Sequence, residues 1–367
     1  MKLVGYGHTP EAQVFIAESI APTSDRWKSL YLNIRDFEGI QSLADILGRL
    51  QILESLYLVQ HQGVTRKPFD EHLPKLFCRV PLLSTASIVG SFFRELSLPL
   101  HQLMTLYLNI YEQDVPESSL FNHCIEQGTS LVSFTFYYKL SGARRLSEPV
   151  PEMTQQTIRR LELGSHLPSG LKYFVFQGME ELVLFQQNEW EPTPIVPSHQ
   201  LMVISDLLNR SKIRLRSLAV YRPIHLLSLN DIVMTSLMDL FITVNGETLN
   251  PIIRRLVEPS FLPGLRRLSL RNHLPVIFMF KDDSILSMAV LRAQLGLRSL
   301  SLVIPPSQSL TSPLLRAPSG WSTNLLRMYK QKGSGLDVTF SIYEKDVFAD
   351  DDAVNEIINC ITGGSET

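Results

Sequence analysis

The chain has 367 residues and a formal net charge of −2, and charged residues make up 19% of it. This near-neutral balance gives no overall electrostatic reason to bind nucleic acid or an anionic membrane. A hydrophobic fraction of 44% is too high for a disordered chain. Three widely spaced cysteines, Cys78, Cys124 and Cys360, suit neither a disulfide framework nor a zinc site. We therefore expect a folded protein of a reducing compartment, cytoplasmic or nuclear, without a secretory signal or a membrane span.

One short phrase recurs along the chain: an apolar residue, two variable residues, an apolar residue, one variable residue and an apolar residue. This phrase is typical of the strand of a leucine-rich repeat. Such a strand buries its apolar side only by stacking on copies of itself. The sequence therefore predicts an α/β fold, an irregular leucine-rich-repeat solenoid (horseshoe) with a parallel concave sheet and helices on the convex side. The phrases begin at Trp27, Leu53, Leu103, Leu131, Ile158, Met179, Leu215, Leu237, Leu265 and Leu297.

The same phrase predicts which leucines form the core. Residues at its apolar positions should be buried together in one continuous core, because they all point to one side of the predicted sheet. The expected core leucines are Leu30, Leu32, Leu56, Leu58, Leu106, Leu108, Leu218, Leu268, Leu270, Leu300 and Leu302.

Taken in chain order, residues 1–25 are predicted to be an N-terminal capping segment, 26–335 the solenoid, and 336–367 a C-terminal cap. Apolar residues at three- and four-residue spacing predict helices between the strands. These helices are Glu38–Leu50, Leu201–Asn209, Asn230–Leu240 and Ser284–Ala293, the last with Ile285, Met288 and Leu291 along its apolar side. The cap is predicted to contain a strand, Leu336–Ile342, and a helix, Asp351–Ile361. Three proline-containing stretches are predicted to be surface loops on one rim, 141–156, 188–198 and 305–320.

Two phrases stand too close to a neighbouring phrase. Phe93–Leu98 comes just before Leu103, and Leu171–Phe176 comes just before Met179. A parallel crossover needs about a dozen residues, so both members of a close pair cannot be strands of the main sheet. One member of each pair is predicted to be an outer segment or part of a hairpin around Gln177–Gly178. We expect Met179–Leu184 to be the strand of the main sheet.

The chain carries no motif of catalysis, cofactor binding or metal binding that we recognise. It has no nucleophile elbow, phosphate-binding loop, paired-histidine zinc motif or dinucleotide fingerprint. Asp350–Asp352 is interpreted as the acidic start of the last helix rather than as a cation site. The doublets Arg144–Arg145, Arg254–Arg255 and Arg266–Arg267 are interpreted as solvated surface rather than a nucleic-acid patch, because no aromatic residues are interleaved with them. We therefore expect no enzyme activity, no cofactor and no metal.

The variable positions of the phrase should face away from the core. In the N-terminal half they include Tyr31, Tyr57, Tyr107 and Tyr137, whose hydroxyl groups we expect to reach solvent on the concave side. Tyrosine gives a large contact area at a small loss of conformational entropy, which favours protein binding. The alternative is that tyrosine simply has a high strand propensity. We interpret these tyrosines as an anchor strip for a protein partner, with Arg267 and Arg271 as further partner-binding residues on the more basic second half.

Four pieces of sequence carry a family resemblance. They are Ser24–Leu30, His101–Leu106, Leu207–Ser211 leading into Leu215–Leu218, and Leu262–Leu268. Their order resembles the leucine-rich-repeat region of F-box proteins from mushroom-forming fungi, over about residues 20–342. The resemblance implies the substrate-receptor part of a ubiquitin-ligase subunit. Family members carry an F-box ahead of the Arg-Trp phrase, and residues 1–25 contain no Leu-Pro-x-Glu-Ile-like opening. We therefore expect this chain to bind the ubiquitin-ligase adaptor only if an F-box is restored.

Three classes of function remain, in decreasing order of preference. The first is non-catalytic protein–protein recognition of the substrate-receptor kind. The second is a stand-alone leucine-rich-repeat scaffold or inhibitor with no link to ubiquitin. The third is an enzyme with its site in the rim loops.

Overall fold

The computed structural model describes residues 21–34, 49–60, 77, 79–90, 93, 96–110, 117–138, 152–164, 167–184, 198–220, 231–244, 246–272, 283–304, 335–342 and 345–346. The chain divides into two compact units, Met1–Met179 and Glu180–Thr367. Within the described ranges no helix is both long enough and apolar enough to cross a membrane. Several predicted segments lie mostly or wholly outside these ranges: the helices Glu38–Leu50 and Asp351–Ile361, the three proline-containing loops, and the doublet Arg144–Arg145.

The first unit contains eight described strands, six of them in one parallel sheet. Its strands are β1 (Ser29–Ile34), β2 (Ser55–Gln60), β3 (Thr85–Val89), β4 (Thr105–Ile110), β5 (Ser133–Tyr138), β6 (Met153–Gln155), β7 (Arg160–Leu163) and β8 (Phe174–Phe176). The main sheet has the order β1-β2-β3-β4-β5-β7, while β6 and β8 form a separate parallel pair. Helix α1 (Glu117–Gln127) lies between β4 and β5 in the chain. The 3-10 helices described in this unit are Ala21–Arg26, Leu100–Gln102 and Ser169–Tyr173.

The second unit also combines a parallel sheet with helices, of which four are described. Its helices are α2 (Ser198–Ser211), α3 (Asp231–Ser236), α4 (Gly246–Val257) and α5 (Ser284–Gln294). Its strands are β9 (Glu181–Leu184), β10 (Ser217–Val220), β11 (Asp239–Val244), β12 (Arg267–Asn272), β13 (Ser299–Ile304), β14 (Asp337–Ile342) and β15 (Lys345–Asp346). Strands β9 to β14 are parallel in chain order, and β15 closes the edge antiparallel to β14.

Successive strands of the sheets begin with the same hydrogen-bond pattern. The N–H of Leu103 donates to the carbonyl of Leu100 at 3.2 Å, which closes a tight turn just before β4. The carbonyl of Met104 then accepts the N–H groups of both Val132 and Ser133, at 2.8 and 3.0 Å, from the next strand of the sheet. We call this arrangement the forked contact. It recurs at the carbonyls of Lys28, Glu54, Ser84, Val132, Glu180, Arg216, Met238 and Arg266.

The apolar positions of the phrase form the core, as predicted. Leu30, Leu56, Ala86, Leu106, Phe134 and Leu161 lie side by side in register, and all six are buried. Of the eleven leucines expected in the core, ten are buried and Leu32 is only half-buried. Leu32 lies on β1, which pairs with only one strand among the described residues, so its cover is less complete.

The two close pairs of phrases resolve as expected. Glu181–Leu184 pairs with β10 in the parallel sheet of the second unit, whereas Phe174–Phe176 pairs in parallel with Met153–Gln155. The parallel pairing excludes the hairpin around Gln177–Gly178. In the phrase at Phe93, the described residues 93 and 96–98 form no strand, so β4 is the strand of that pair.

Several predictions about elements were wrong. The helix predicted over Asn230–Leu240 ends at Ser236. The phrase at Leu237 leads instead into strand β11, which includes Leu240. Strand β3 was missed because Ala86 stands where the phrase has leucine. Helix α4 was missed because Pro251 interrupts it, a residue that normally breaks a helix interior. Met153–Gln155, expected within the loop 141–156, forms strand β6. The helices predicted at 201–209 and 284–293 are confirmed, with slightly wider bounds.

Candidate binding face

The first unit presents a surface of hydroxyl-bearing side chains. Because side chains alternate across a strand, the residues between the buried positions face the other side of the sheet. Register aligns them in two rows across β1 to β5. The first row is Ser29, Ser55, Thr85, Thr105 and Ser133, and the second row is Tyr31, Tyr57, Ser87, Tyr107 and Thr135. We call these ten residues the hydroxyl face. Each carries a hydroxyl group, none is an acidic or basic residue, and Thr135, at the β5 end of the second row, is buried.

Helix α1 covers the opposite side of the sheet. The ring of Phe121 lies 5.7 Å from that of Phe134 and 5.3 Å from that of Phe136, measured between centroids. At β5 the apolar side of the sheet is therefore covered by a helix, and the hydroxyl face is directed away from it. Among the described residues, the side chains of the first row make no hydrogen bond with one another or with any neighbour. Their donors and acceptors are available to a ligand.

The four predicted tyrosines form two pairs rather than one strip. Tyr31 and Tyr57 lie in register, with stacked rings whose centroids are 6.4 Å apart. Tyr107 meets Tyr137 edge to face, with centroids 5.6 Å apart. Strand β3 places Ser87 between Tyr57 and Tyr107, which puts these two tyrosines about 10 Å apart across two strand spacings. Because β3 was not predicted from the sequence, Tyr57 and Tyr107 were expected to belong to one strip, and in the structure Ser87 separates them.

Tyr137 does not reach solvent, contrary to the prediction. It is 6% exposed, and its hydroxyl donates to Oε1 of Glu162 on the neighbouring strand β7. Gly164 permits this position, because a Cβ atom there would lie 3.0 Å from Cδ1 of Tyr137. The partner-accessible tyrosines are therefore Tyr31, Tyr57 and Tyr107, of which Tyr57 is the most open.

A charged pair ends the hydroxyl face. Oε2 of Glu162 accepts a hydrogen bond from Arg160 at 3.1 Å, while its Oε1 accepts from Tyr137. Glu162 and Arg160 occupy, on β7, the positions that carry hydroxyl groups on β1 to β5. The face is thus an uncharged surface with a charged boundary at one end.

The second unit places Arg267 in an ion pair. Its Nε and Nη2 atoms donate to Oδ1 and Oδ2 of Asp239 at 2.6 and 2.5 Å. The Asp239 side chain is only 6% exposed, against 59% for Arg267. The hydrogen bonds to Asp239, together with its charge, raise the pKa of Arg267. Arg271 lies farther along the same strand, in register with Thr243 and Val303, and is half-buried. A partner that recruits Arg267 must therefore compete with Asp239.

The adjacent arginines 266 and 267 provide a matched test of this pair. Arg267→Ala should lower the free energy of unfolding by about 1–3 kcal/mol, because it leaves the buried carboxylate of Asp239 without its cation. Arg266→Ala should change it by less than about 0.5 kcal/mol, because Arg266 is exposed and makes no ion pair among the described residues. Urea unfolding at neutral pH measures both. Equal losses in the two variants would show that the ion pair adds nothing.

Reactive groups of other kinds are sparse in the described part of the chain. No three His, Cys, Asp or Glu side chains there are grouped so as to hold a metal ion. Cys124 on α1 is buried, and its burial raises the pKa of the thiol, which keeps the sulfur unreactive. A cavity of about 340 Å³ beside α1 is lined mostly by apolar side chains, with His123, Ser97 and Ser119 as its polar members.

Sequence reasoning missed some members of these surfaces. Thr85 and Ser87 escaped notice together with β3. Glu162 also escaped, although the phrase at Ile158 places it in the row of Tyr31 and Tyr57. Arg216, Arg266 and Arg298 also escaped notice as a group. They could have been found from the sequence Leu-Arg-x-Leu, which recurs in the phrases at Leu215, Leu265 and Leu297.

No known family model matches the chain, and a search of curated proteins found no similar one.

Proposed function

We propose that the chain is an irregular leucine-rich-repeat protein that binds a protein partner, without catalysis, through the hydroxyl face of its first unit. The observation that carries this proposal is the alignment of ten uncharged hydroxyl residues in two rows across five strands. A surface of this kind offers many hydrogen bonds at little desolvation cost, because none of its members carries a charge.

The repeat assignment rests on three features that recur together. The apolar phrase and the forked contact return at successive strands of both units, and the tight turn precedes each of β1 to β5 and returns before β12. Polar side chains reinforce the turns, as where Nε2 of Gln102 donates to the carbonyls of Val80 and Leu83 at 2.7 and 3.0 Å. Each forked contact thus joins a strand to the next strand of its sheet. Contacts restricted to neighbouring units are the defining property of a repeat array.

Composition favours a protein as the partner. Strand propensity accounts for tyrosine and threonine but gives no reason for three serines in the first row. Tyrosine and serine together are the main residues of antibody binding loops, where rigid aromatic area is combined with adaptable hydrogen bonding. The resemblance to the repeat region of F-box proteins makes the partner, in this proposal, a substrate that the chain selects for ubiquitination.

The first test is the double variant Tyr57→Ala/Tyr107→Ala. It should weaken capture of the partner by about an order of magnitude or more, since interface tyrosines are often hot spots. A photo-crosslinking residue at Ser87, between these two tyrosines, identifies the partner in an extract of the source cells. Capture of that one protein by immobilised chain is then quantified for each variant. The melting temperature should stay within a few degrees of the parent value, since both side chains lie outside the core.

Tyr173→Ala is the matched control. Tyr173 is half-buried in the same unit, but it lies in the 3-10 helix Ser169–Tyr173 with the ammonium of Lys172 over its ring. Capture should be unchanged in this variant. Undiminished capture by the double variant, or an equal loss in the control, would overturn the assignment of the face.

A second measurement separates a substrate receptor from a scaffold or inhibitor. If the captured protein is a substrate, removal of the chain from the source cells should lengthen its half-life, and the double variant should fail to shorten it again. A half-life that does not respond contradicts the ubiquitin role while leaving binding intact.

A further inference from the structure

Three arginines from distant parts of the sequence are brought into one row in the second unit. The N–H of Met238 donates to the carbonyl of Arg216 at 2.9 Å. The N–H of Arg266 donates in turn to Met238, and that of Arg298 to Arg266, both at 2.8 Å. Arg216, Arg266 and Arg298 therefore occupy the same position of three phrases, and we call them the arginine row. With about 4.8 Å between neighbouring strands, the row extends over about 14 Å.

The arginine row is exposed and uncompensated within the described residues. All three side chains are exposed, and none makes an ion pair with a described carboxylate. Other arginines of this unit differ: Arg267 is paired with Asp239, and Arg255 with Glu258 at 2.7 Å. Like charges on adjacent strands repel each other, so Arg266 and Arg298 gain from any anion placed between them. The row is bounded by Glu180 on one side and by buried Leu336 on the other.

We propose that the arginine row binds an extended acidic segment of a protein partner, in which apolar residues separate the carboxylates. The partly exposed side chain of Met238 lies between Arg216 and Arg266 and offers an apolar contact within the row. Guanidinium groups pair with carboxylates through two parallel hydrogen bonds, which gives direction as well as charge. Three separated cations with a methionine among them suit a ligand whose charges are spread along a line.

Nucleic acid fits this row less well. The whole chain carries a net charge of −2, and the row itself, Arg216, Met238, Arg266 and Arg298, contains no aromatic side chain for base stacking. The site also lies outside the hydroxyl face, so its test is independent of the function proposed above. The Tyr57→Ala/Tyr107→Ala variant should bind an acidic peptide as the parent chain does.

The test is fluorescence anisotropy with a labelled peptide that alternates Glu with Leu, compared with the same peptide carrying Gln for Glu. The acidic peptide should bind at low ionic strength and the Gln peptide should not. Binding should weaken steeply as salt is added, because the contacts are between exposed charges. Arg266→Gln/Arg298→Gln should raise the dissociation constant by about tenfold or more. Circular dichroism confirms that this variant remains folded, as expected for exposed residues.

Arg254→Gln removes the same charge from an exposed position on α4 and should leave the dissociation constant unchanged. Three results would overturn the proposal. They are absence of acidic-peptide binding to the full chain at low salt, an equal loss in Arg254→Gln, and tighter binding of a single-stranded oligonucleotide of the same charge with the same dependence on Arg266 and Arg298.

Discussion

Arg292→Met is expected to lower the free energy of unfolding by about 3–5 kcal/mol, because several buried carbonyls lose their donors and each unsatisfied buried polar group costs about 1–3 kcal/mol. Arg292 lies on α5 and is only 1% exposed. Its guanidinium donates hydrogen bonds to four backbone carbonyls. These belong to Leu256, Glu258, Phe261 and Leu262, at distances of 3.1 Å for Glu258 and 3.2 Å for Leu262.

The reason for so large an effect lies in where those carbonyls are. The last four carbonyls of a helix have no partner within the helix, and α4 ends at Val257. The turn that follows passes through Leu262, whose φ of 50° is unusual for a residue with a side chain. Arg292 supplies donors to both the helix end and the turn, and its charge suits the negative end of the helix dipole. Burial lowers the pKa of Arg292, and the four carbonyls offset this cost of desolvation.

Methionine would fill much of the space but would leave the carbonyls buried without donors. A buried acceptor without a donor destabilises the folded state by its full desolvation penalty, which exceeds the net contribution of a typical hydrogen bond. Arg292→Lys keeps the charge, but one ammonium group lacks the fork needed to reach carbonyls on two segments. It should therefore fall between the parent and Arg292→Met. Arg254→Met, on the exposed side of α4, is the control and should cost less than about 0.5 kcal/mol. Urea unfolding measures all three, and a parental midpoint for Arg292→Met would refute this account.

The role of Arg292 was not accessible from sequence pattern. The apolar spacing of Ser284–Ala293 predicted that Leu291 would face the core together with Ile285 and Met288. Ile285 and Met288 are buried as predicted, but Leu291 is exposed and Arg292 takes the buried place. A helical pattern ranks residues by hydrophobicity, whereas the end of a neighbouring helix needs donors. Those donors are needed only because α5 packs against the end of α4, so the spacing of residues within Ser284–Ala293 cannot predict the role of Arg292.

The strands of the sheet were largely predictable, because two-residue alternation leaves few choices. Alternation assigned Tyr31, Tyr57 and Tyr107 to the side opposite the core, and the structure places them there. Which residues stand next to one another depends on the strand order as well. The omission of β3 joined Tyr57 to Tyr107, and only the pairing of β5 with β7 brings Glu162 to the hydroxyl of Tyr137.

A leucine series tests where the repeat pattern and the structure disagree. Leu32 and Leu106 both occupy apolar positions of the phrase, and the sequence expects both of them in the core. Leu106 is 0% exposed, between Ala86 on β3 and Phe134 on β5, whereas Leu32 is half-buried on β1.

Leu106→Ala should therefore lower the free energy of unfolding by about 2–5 kcal/mol, through lost burial and the cavity left between two paired strands. Leu32→Ala should cost roughly half as much, because its side chain gives up less buried area and water can fill the gap. Leu82→Ala, at a position 52% exposed, serves as the control and should be nearly neutral. Urea unfolding of the three variants should follow this order. Equal losses for Leu32→Ala and Leu106→Ala would mean that stacking alone sets the energy of each strand, and that cover by neighbouring strands on both sides adds nothing.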